Sequence, residues 1–346
     1  MNPPTILGLG SACWDTLLEV HTLPGPGGKS ELLSERGLPG GQVASVLVGC
    51  CRLGLAASML LRTGDDPAGA HVRAALAAAG VDLTHGRIIA AAATATAYIV
   101  RDRAGERAVI WRAPEAMAVA SADVTPAMLD GVDALFFDGR DGGACLRLAQ
   151  WARARSIPVI ADLDCVYPHT AALLPWIDHL VSPAEFTLAA AAPCPTVVIT
   201  RGHDGAEGHE HGGERLHVPA FPAAVVDTTG AGDAFHAGYI FALLQGWPLP
   251  ARLRFANATA ACACAAVGAQ AGLPTLRQVE ARLADEPQSR RSHQAAPAPR
   301  RSEATGSPPR REHQAAPAQR RSGATGPPPR REHKRAGGAR EPAPNQ

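Results

Sequence analysis

Short apolar runs alternate with longer Ala- and Leu-rich segments along residues 1–284. Thr5–Leu9, 56–61, Ala134–Phe137, 158–161, 179–181 and Thr196–Thr200 are largely apolar stretches of strand length, the pattern of strands covered on both faces. Between them, 42–53 sets Val43, Val46, Leu47 and Cys50 at helical spacing, and 66–79 and 143–155 also read as helices. Ala231–Leu244, 251–267 and 276–283 predict three more. This alternation predicts an α/β fold: a central, mostly parallel sheet with helices on both faces. Two segments break the alternation. Residues 31–39 and 95–111 read as short exposed strands, the second folded back at Asp102 to Gly105. They predict a small β-sheet lid, drawn from about 12–39 and 95–112, over the edge of the main sheet.

The pattern vanishes from Asp285 onward. Residues 292–311 and 312–331 are copies of one 20-residue unit, identical at 16 positions, without Leu, Ile, Val, Phe, Trp or Tyr. Such a unit cannot bury enough apolar surface to offset the entropy of ordering, which predicts a disordered basic Pro/Ala/Arg tail over 285–346. The tail holds 13 of the 33 basic residues and 6 of the 32 acidic ones, so a near-neutral chain of net charge +1 has an acidic body. An acidic body argues against a nucleic-acid-binding core and leaves the tail as the one candidate for polyanions. The 8 cysteines contain no C-x-x-C pair, no apolar run reaches about 18 residues, and the N-terminus lacks a basic n-region. The expectation is a cytoplasmic protein with reduced thiols and no membrane partner.

The richest chemistry lies in Val225-Val226-Asp227-Thr228-Thr229-Gly230-Ala231-Gly232-Asp233-Ala234-Phe235. Gly230, Ala231 and Gly232 form a turn ahead of a long apolar helix, so their N–H groups and the helix dipole make an anion site. Asp233 follows in the first helical turn. A base beside an anion hole is what phosphoryl transfer to an alcohol requires. On the segment alone, a plain tight turn with a favourable N-terminal charge reads equally well.

The whole segment resembles the D-T-x-G-A-G-D-x-F pattern of the PfkB (ribokinase-like) family of sugar and nucleoside kinases, with every fixed position filled. Gly40-Gly41 opening a helix, and Gly8-Leu9-Gly10 followed by Asp15, are similar to two further family motifs in the right order. The resemblance spans about 5–283. It implies a Mg²⁺- and ATP-dependent kinase of a small carbohydrate. It implies Asp233 as catalytic base, with Gly230, Ala231 and Gly232 as anion hole. Asp15, Gly40, Gly41, Gln42 and Ser45 would hold the sugar. Thr200, Gly202, Gly205, Thr228, Asn257 and Ala261 would hold ATP. Glu185 would hold Mg²⁺ through water. Asp227 and Thr229, completed by carbonyls near Ala263, Ala266 and Gly268, would bind a monovalent cation such as K⁺. A homodimer through the lid is a further implied possibility.

Three positions depart from the family pattern. Ser182 stands where an N-x-x-E motif has Asn, Gln42 follows the Gly pair in place of Asn or Lys, and Ser45 replaces a frequent Asn. The last two face the substrate in the family, so the identity of the sugar is less defined than the catalysis. Asp138-Gly139-Arg140, Phe235-His236 and the stretch 268–274 look most like ketohexokinase-like and sulfofructose-kinase-like members, which favours a ketose or modified ketose. A nucleoside kinase, or a catalytically weak sugar sensor of the same fold, are the alternatives. Trp111 and Arg140 end a lid strand and a core strand and are read as substrate-binding. Arg140 would pair either with a substrate anion or with Asp15, Asp162 or Asp164. Lys29 and Arg112 are expected to converge beside it. Two other motifs are set aside. Gly28-Lys29-Ser30 lacks the upstream Gly of a phosphate loop, and His203, His209 and His211 read as a solvated loop or hairpin.

Overall fold

The computed structural model describes residues 2–211 and 213–285. The repeat tail expected over 285–346 lies, beyond Asp285, outside the described residues. The chain opens with β1 (Thr5–Leu9), β2 (Cys13–Val20) and β3 (Leu32–Gly40), then α1 (Gln42–Arg52), β4 (Ala56–Leu60), β5 (Arg62–Gly64) and α2 (Pro67–Ala78). Next come β6 (Val81–Asp82), β7 (Arg87–Ile89), β8 (Thr96–Arg101), β9 (Arg107–Arg112), β10 (Ala134–Phe137), α3 (Gly142–Ala154), β11 (Val159–Asp162) and α4 (Thr170–Leu173). β12 (His179–Pro183), β13 (Thr196–Thr200), β14 (Ala206–Glu210), β15 (Leu216–Val218), α5 (Ala231–Leu244), α6 (Leu249–Ala263) and α7 (Leu276–Ala284) complete it.

The main sheet runs β15-β14-β13-β12-β11-β10-β1-β4-β6. From β13 to β6 every pairing is parallel, and β14 and β15 add an antiparallel edge. The continuous apolar strands follow from burial on both faces. In β1, Ile6 joins the core under α1, α5 and α6, whereas Leu7 and Leu9 join the core under α3. In β10, Phe136 and Phe137 divide the same way. Helix α5 is buried almost all round, from Ala234 to Ala242, which explains its apolar sequence and its weak amphipathic stripe.

The helices after β1 and β10 leave toward opposite faces of the sheet. That divergence opens a crevice at the carboxyl ends of two adjacent strands, where ligands of open α/β sheets sit. Asp138 staples the crevice. Its carboxylate accepts the Ser11 N–H at 2.8 Å and the Arg140 N–H at 3.0 Å, tying the exits of β1 and β10 together.

The lid is a second sheet, β3-β2-β8-β9, with β2 and β8 parallel and the outer pairings antiparallel. Its outer surface leaves Tyr98 and Ile110, cross-strand partners, exposed, Ile110 by 66%, while Val109 of the same strand faces the other way. Helix α6 stops at Ala263, four residues short of the sequence expectation. The Cys264 carbonyl is drawn away by the Val226 N–H at 2.8 Å, so the helix end is spent on the loop entering α5. The Gly-rich histidine segment pairs as β14 against β13, and no cluster of metal-ligating side chains is found among the described residues. All eight cysteines are free, Cys165 being the exposed one. No helix among the described residues is long and apolar enough to cross a membrane.

Candidate active site

A cavity of about 590 Å³ lies between the strand ends and the lid, within the range of small-molecule pockets. Asp15 enters it from β2, Gly41 and Gln42 from the start of α1, Trp111 from β9, Arg140 from the exit of β10, and Gly230 and Asp233 from the start of α5. Residues from five separate segments thus converge in one place. Gly40 and Ser45 lie just behind the wall. Lys29 is not in this cavity, so the expectation that it joins Arg112 and Arg140 there fails. It sits in the exposed segment before β3.

Asp15 is 7% exposed and accepts a hydrogen bond from the Cys13 thiol at 3.0 Å. Burial raises its pKa above the usual carboxylate range, with the thiol pulling the other way. The two glycines before α1 are required by space. A side chain on Gly40 would meet the Asp15 carboxyl, and one on Gly41, whose φ is +96°, would meet the Ala12 backbone at 2.6 Å. Gln42 reaches over the floor, donating from Nε2 to Asp164 at 3.1 Å and to Asp162 at 3.4 Å.

Gly230 takes a left-handed conformation, φ +80°, that starts α5 directly from a loop, and it packs on Ala269. Among the described residues, the amides of Gly230, Gly232 and Asp233 have no backbone acceptor, whereas that of Ala231 is turned to the Thr228 carbonyl at 3.1 Å. Three of the donors at this helix end are therefore open to an anion. Asp233 is surrounded by other carboxylates. Burial first, then the charges of Asp162, Asp15 and Asp164, raise its pKa well above that of an ordinary aspartate, and a bond from the Ser45 hydroxyl offsets part of this. Asp162 itself is pushed up to about 6 by burial, against the pull of His236 at 3.5 Å. Sequence reasoning had no means to place His236 beneath the site. Its Nδ1 meets the Gly232 carbonyl at 2.8 Å, fixing the turn of α5 that carries Asp233.

Asp227 accepts from the Thr229 N–H at 3.0 Å, the Thr229 hydroxyl at 2.8 Å and the Gly268 N–H at 2.9 Å. Burial acts upward on its pKa, but these bonds outweigh it and hold the carboxyl low. Arg101 of β8 lies 3.8 Å from the same carboxylate, and Arg107 of β9 donates to the Thr229 hydroxyl at 3.0 Å. A fixed guanidinium thus already faces the carboxylate expected to bind K⁺, and the residues do not fit a monovalent-cation site. Neither arginine was identified from sequence, because a lid-to-loop contact leaves no local pattern.

The expected nucleotide residues lie apart from this cavity. Thr200 ends β13, and Gly202 and Gly205 shape the turn after it. Thr228 is exposed ahead of α5, and Ala261 is half-buried on α6. Asn257 is buried and spends its amide on the carbonyls of Val218 at 2.9 Å and Pro219 at 3.2 Å, so it braces the exit of β15. Glu185 is exposed just past β12, and three residues before it the buried Ser182 hydroxyl has no partner. A free hydroxyl and an exposed carboxylate suit the water-rich shell that Mg²⁺ keeps.

Residues 9–182 and 176–276 match the profile described as pfkB family carbohydrate kinase. The chain is 29% identical over 297 residues to an ATP-dependent ribose-1-phosphate kinase of Halopiger xanaduensis, covering 81% of this chain and 98% of that one. It is 30% identical over 287 residues to a fructokinase of Klebsiella pneumoniae, covering 72% and 92%. Its fold superposes on the structure of Arabidopsis thaliana ribokinase complexed with ribose and ATP with a TM-score of 0.70, at 25% identity, covering 82% and 99%. With the expected base, helix-end amides and acceptor carboxylate sharing one cavity beneath a lid, the chain belongs to the pfkB family of carbohydrate kinases.

Proposed function

We propose that this sugar kinase transfers the γ-phosphoryl group of ATP to a primary hydroxyl of a small sugar, with Asp233 as general base. The observation that carries this reading is the placement of Asp233 beside the open amides of Gly230 and Gly232, facing the cavity that Asp15 enters. Asp15 orients the acceptor hydroxyls, and Asp233 takes the proton of the attacking one. The new O–P bond forms as the bond to the β-phosphate bridging oxygen breaks, and ADP leaves. The amides of Gly230 and Gly232 face the charge that develops on the phosphoryl oxygens. Mg²⁺, held through water by Glu185 and Ser182, would neutralise phosphate charge when bound. Thr200, Gly202, Gly205 and Thr228 are proposed to line the nucleotide side, with Ala261 and the Asn257-braced wall behind them. No step is assigned to K⁺.

The raised pKa of Asp233 suits a base working near neutrality, since a stronger base is a better proton acceptor once ionised. Arg101 and Arg107 couple lid to loop, so lid closure and assembly of the anion hole act together and exclude water. The exposed apolar lid face supports self-association through the lid. A ketose acceptor remains the preferred reading of the short stretches around Arg140 and 268–274. The test is Asp233→Asn, which keeps the fold and lowers kcat by about 10²–10⁴. Wild-type turnover in the purified variant removes Asp233 from the mechanism.

A further inference from the structure

Asp227 ties together the two loops that shape the helix end at Gly230. Its Oδ1 accepts the N–H and the hydroxyl of Thr229, one residue before Gly230. Its Oδ2 accepts the Gly268 N–H, one residue before the Ala269 backbone on which Gly230 packs. Against the upward pull of burial, the bonds from Thr229 and Gly268 keep the carboxyl ionised. A fixed negative charge beside a site for phosphoryl oxygens works against that site unless a positive charge accompanies it.

The lid supplies that positive charge. β2 and β8 pair in a register that sets Glu19 beside Arg101. Arg101 Nη2 donates to Glu19 at 2.6 Å, and Glu19 is itself held by the Ser34 hydroxyl at 2.6 Å and by Arg36 at 3.2 Å. Anchored on that side, the guanidinium places Nη1 3.8 Å from Asp227 Oδ2. The two side chains are 20% and 10% exposed, so solvent screens their attraction little. Arg107 of β9 adds a second contact through the Thr229 hydroxyl. The space between lid and loop is about 20 Å³, and Arg101, Arg107, Asp227, Thr229 and Gly268 all line it. That is room for about one water, and a metal cation placed there would face two guanidinium groups.

Resting on the kinase reading above, we infer that Arg101 is a positioning residue that serves Asp227 as a tethered cation, so that turnover needs no monovalent metal ion. A guanidinium is always charged and is more weakly hydrated than an ammonium, which suits it to a shielded carboxylate. Carried on a lid strand, it differs from a dissolved ion in what controls it. Its presence at the loop depends on the position of the lid and not on the salt in the solvent.

The test compares potassium chloride with tetramethylammonium chloride at matched ionic strength, on wild type, Arg101→Met and Arg101→Lys. Activity is read as ADP release with the best acceptor from a panel of ketoses and pentoses. Met keeps the stem in the lid and removes the charge. Wild-type rates in the two salts should agree within about 2-fold, because matched ionic strength removes general screening. In tetramethylammonium, Arg101→Met should lose about 10–100-fold in kcat, the worth of one charge-assisted contact, and Arg101→Lys should restore part of it. Potassium should raise the rate of Arg101→Met, whose carboxylate is now free to bind it, and leave wild type unchanged. Thermal melting reads the same difference without turnover: potassium should stabilise Arg101→Met and not wild type. A wild type that requires potassium overturns the inference. So does a folded Arg101→Met that keeps wild-type turnover in tetramethylammonium, or one whose loss is the same in both salts. If no sugar is phosphorylated, the kinase reading fails, and the melting comparison still decides the cation inference. If Arg101→Met does not fold, a wild type that potassium activates or stabilises still overturns it.

Discussion

Gly40→Ala tests how closely the acceptor site is built on a single contact. Gly40 ends β3 opposite Cys13 in the lid, and Asp15 lies two residues along the partner strand. A Cβ at position 40 would fall 2.5 Å from the Asp15 carboxyl carbon, where tight packing of real side chains begins at 3.0–3.4 Å. The carboxyl must therefore move by about 1 Å, and it is buried with the Cys13 thiol already on one oxygen. A shift of about 1 Å in a positioning group costs about 10²-fold in rate, close to the worth of one charge-assisted hydrogen bond. Gly40→Ala should lower kcat/KM for the sugar by about 10²-fold while the KM for ATP changes little. Gly25→Ala is the control, because a Cβ there meets nothing within 4 Å. The assay is ADP release with the acceptor varied at saturating ATP, then ATP varied at saturating acceptor. A folded Gly40→Ala enzyme with the wild-type kcat/KM for the sugar would show that Asp15 does not hold the acceptor.

Two further outcomes follow from the same geometry. Because Asp233 must be ionised to accept a proton, activity rises with pH through its raised pKa, so the acid limb of kcat/KM should lie above the ordinary carboxylate range. Asp162→Asn removes a neighbouring negative charge and should move that limb to lower pH; a pH–rate profile with an unmoved limb refutes the coupling. Ile110→Asp, on the exposed lid face, should shift sedimentation toward the monomer, and a wild type that sediments as a monomer at micromolar concentration removes the lid dimer from consideration.

The core strands were legible because burial on both faces leaves an uninterrupted apolar run, as in Ala134–Phe137. The edge was not. β14 alternates Glu207 and His209 with small residues, which reads as a loop until β13 supplies its partner. β2 was hidden too, since Trp14, Asp15, Thr16 and Glu19 give it no clean period. Within the site, Asp233 and the glycines lie in one continuous segment and could be read directly. The arginine contacts from the lid join residues far apart in the chain, and only the fold brings them together, whereas the Cys13 thiol on Asp15 and the His236 support of the Gly232 carbonyl are local contacts within β2 and within α5 that no motif marks.

Cys13 gives this site an unusual relation to oxidants. A thiol in the wall of a ligand pocket is ordinarily a point of attack, because the thiolate reacts. Here burial, and next to it the charge of Asp15, push the thiol well above its usual range, and its proton is engaged by the Asp15 carboxylate. The sulfur therefore serves as a neutral hydrogen-bond donor, a part that a hydroxyl could also fill. Peroxide and alkylating reagents should reach it slowly, and more slowly still with a sugar in place, while the exposed Cys165 reacts first. Turnover is then insulated from changes in thiol redox poise even though a cysteine stands next to the substrate.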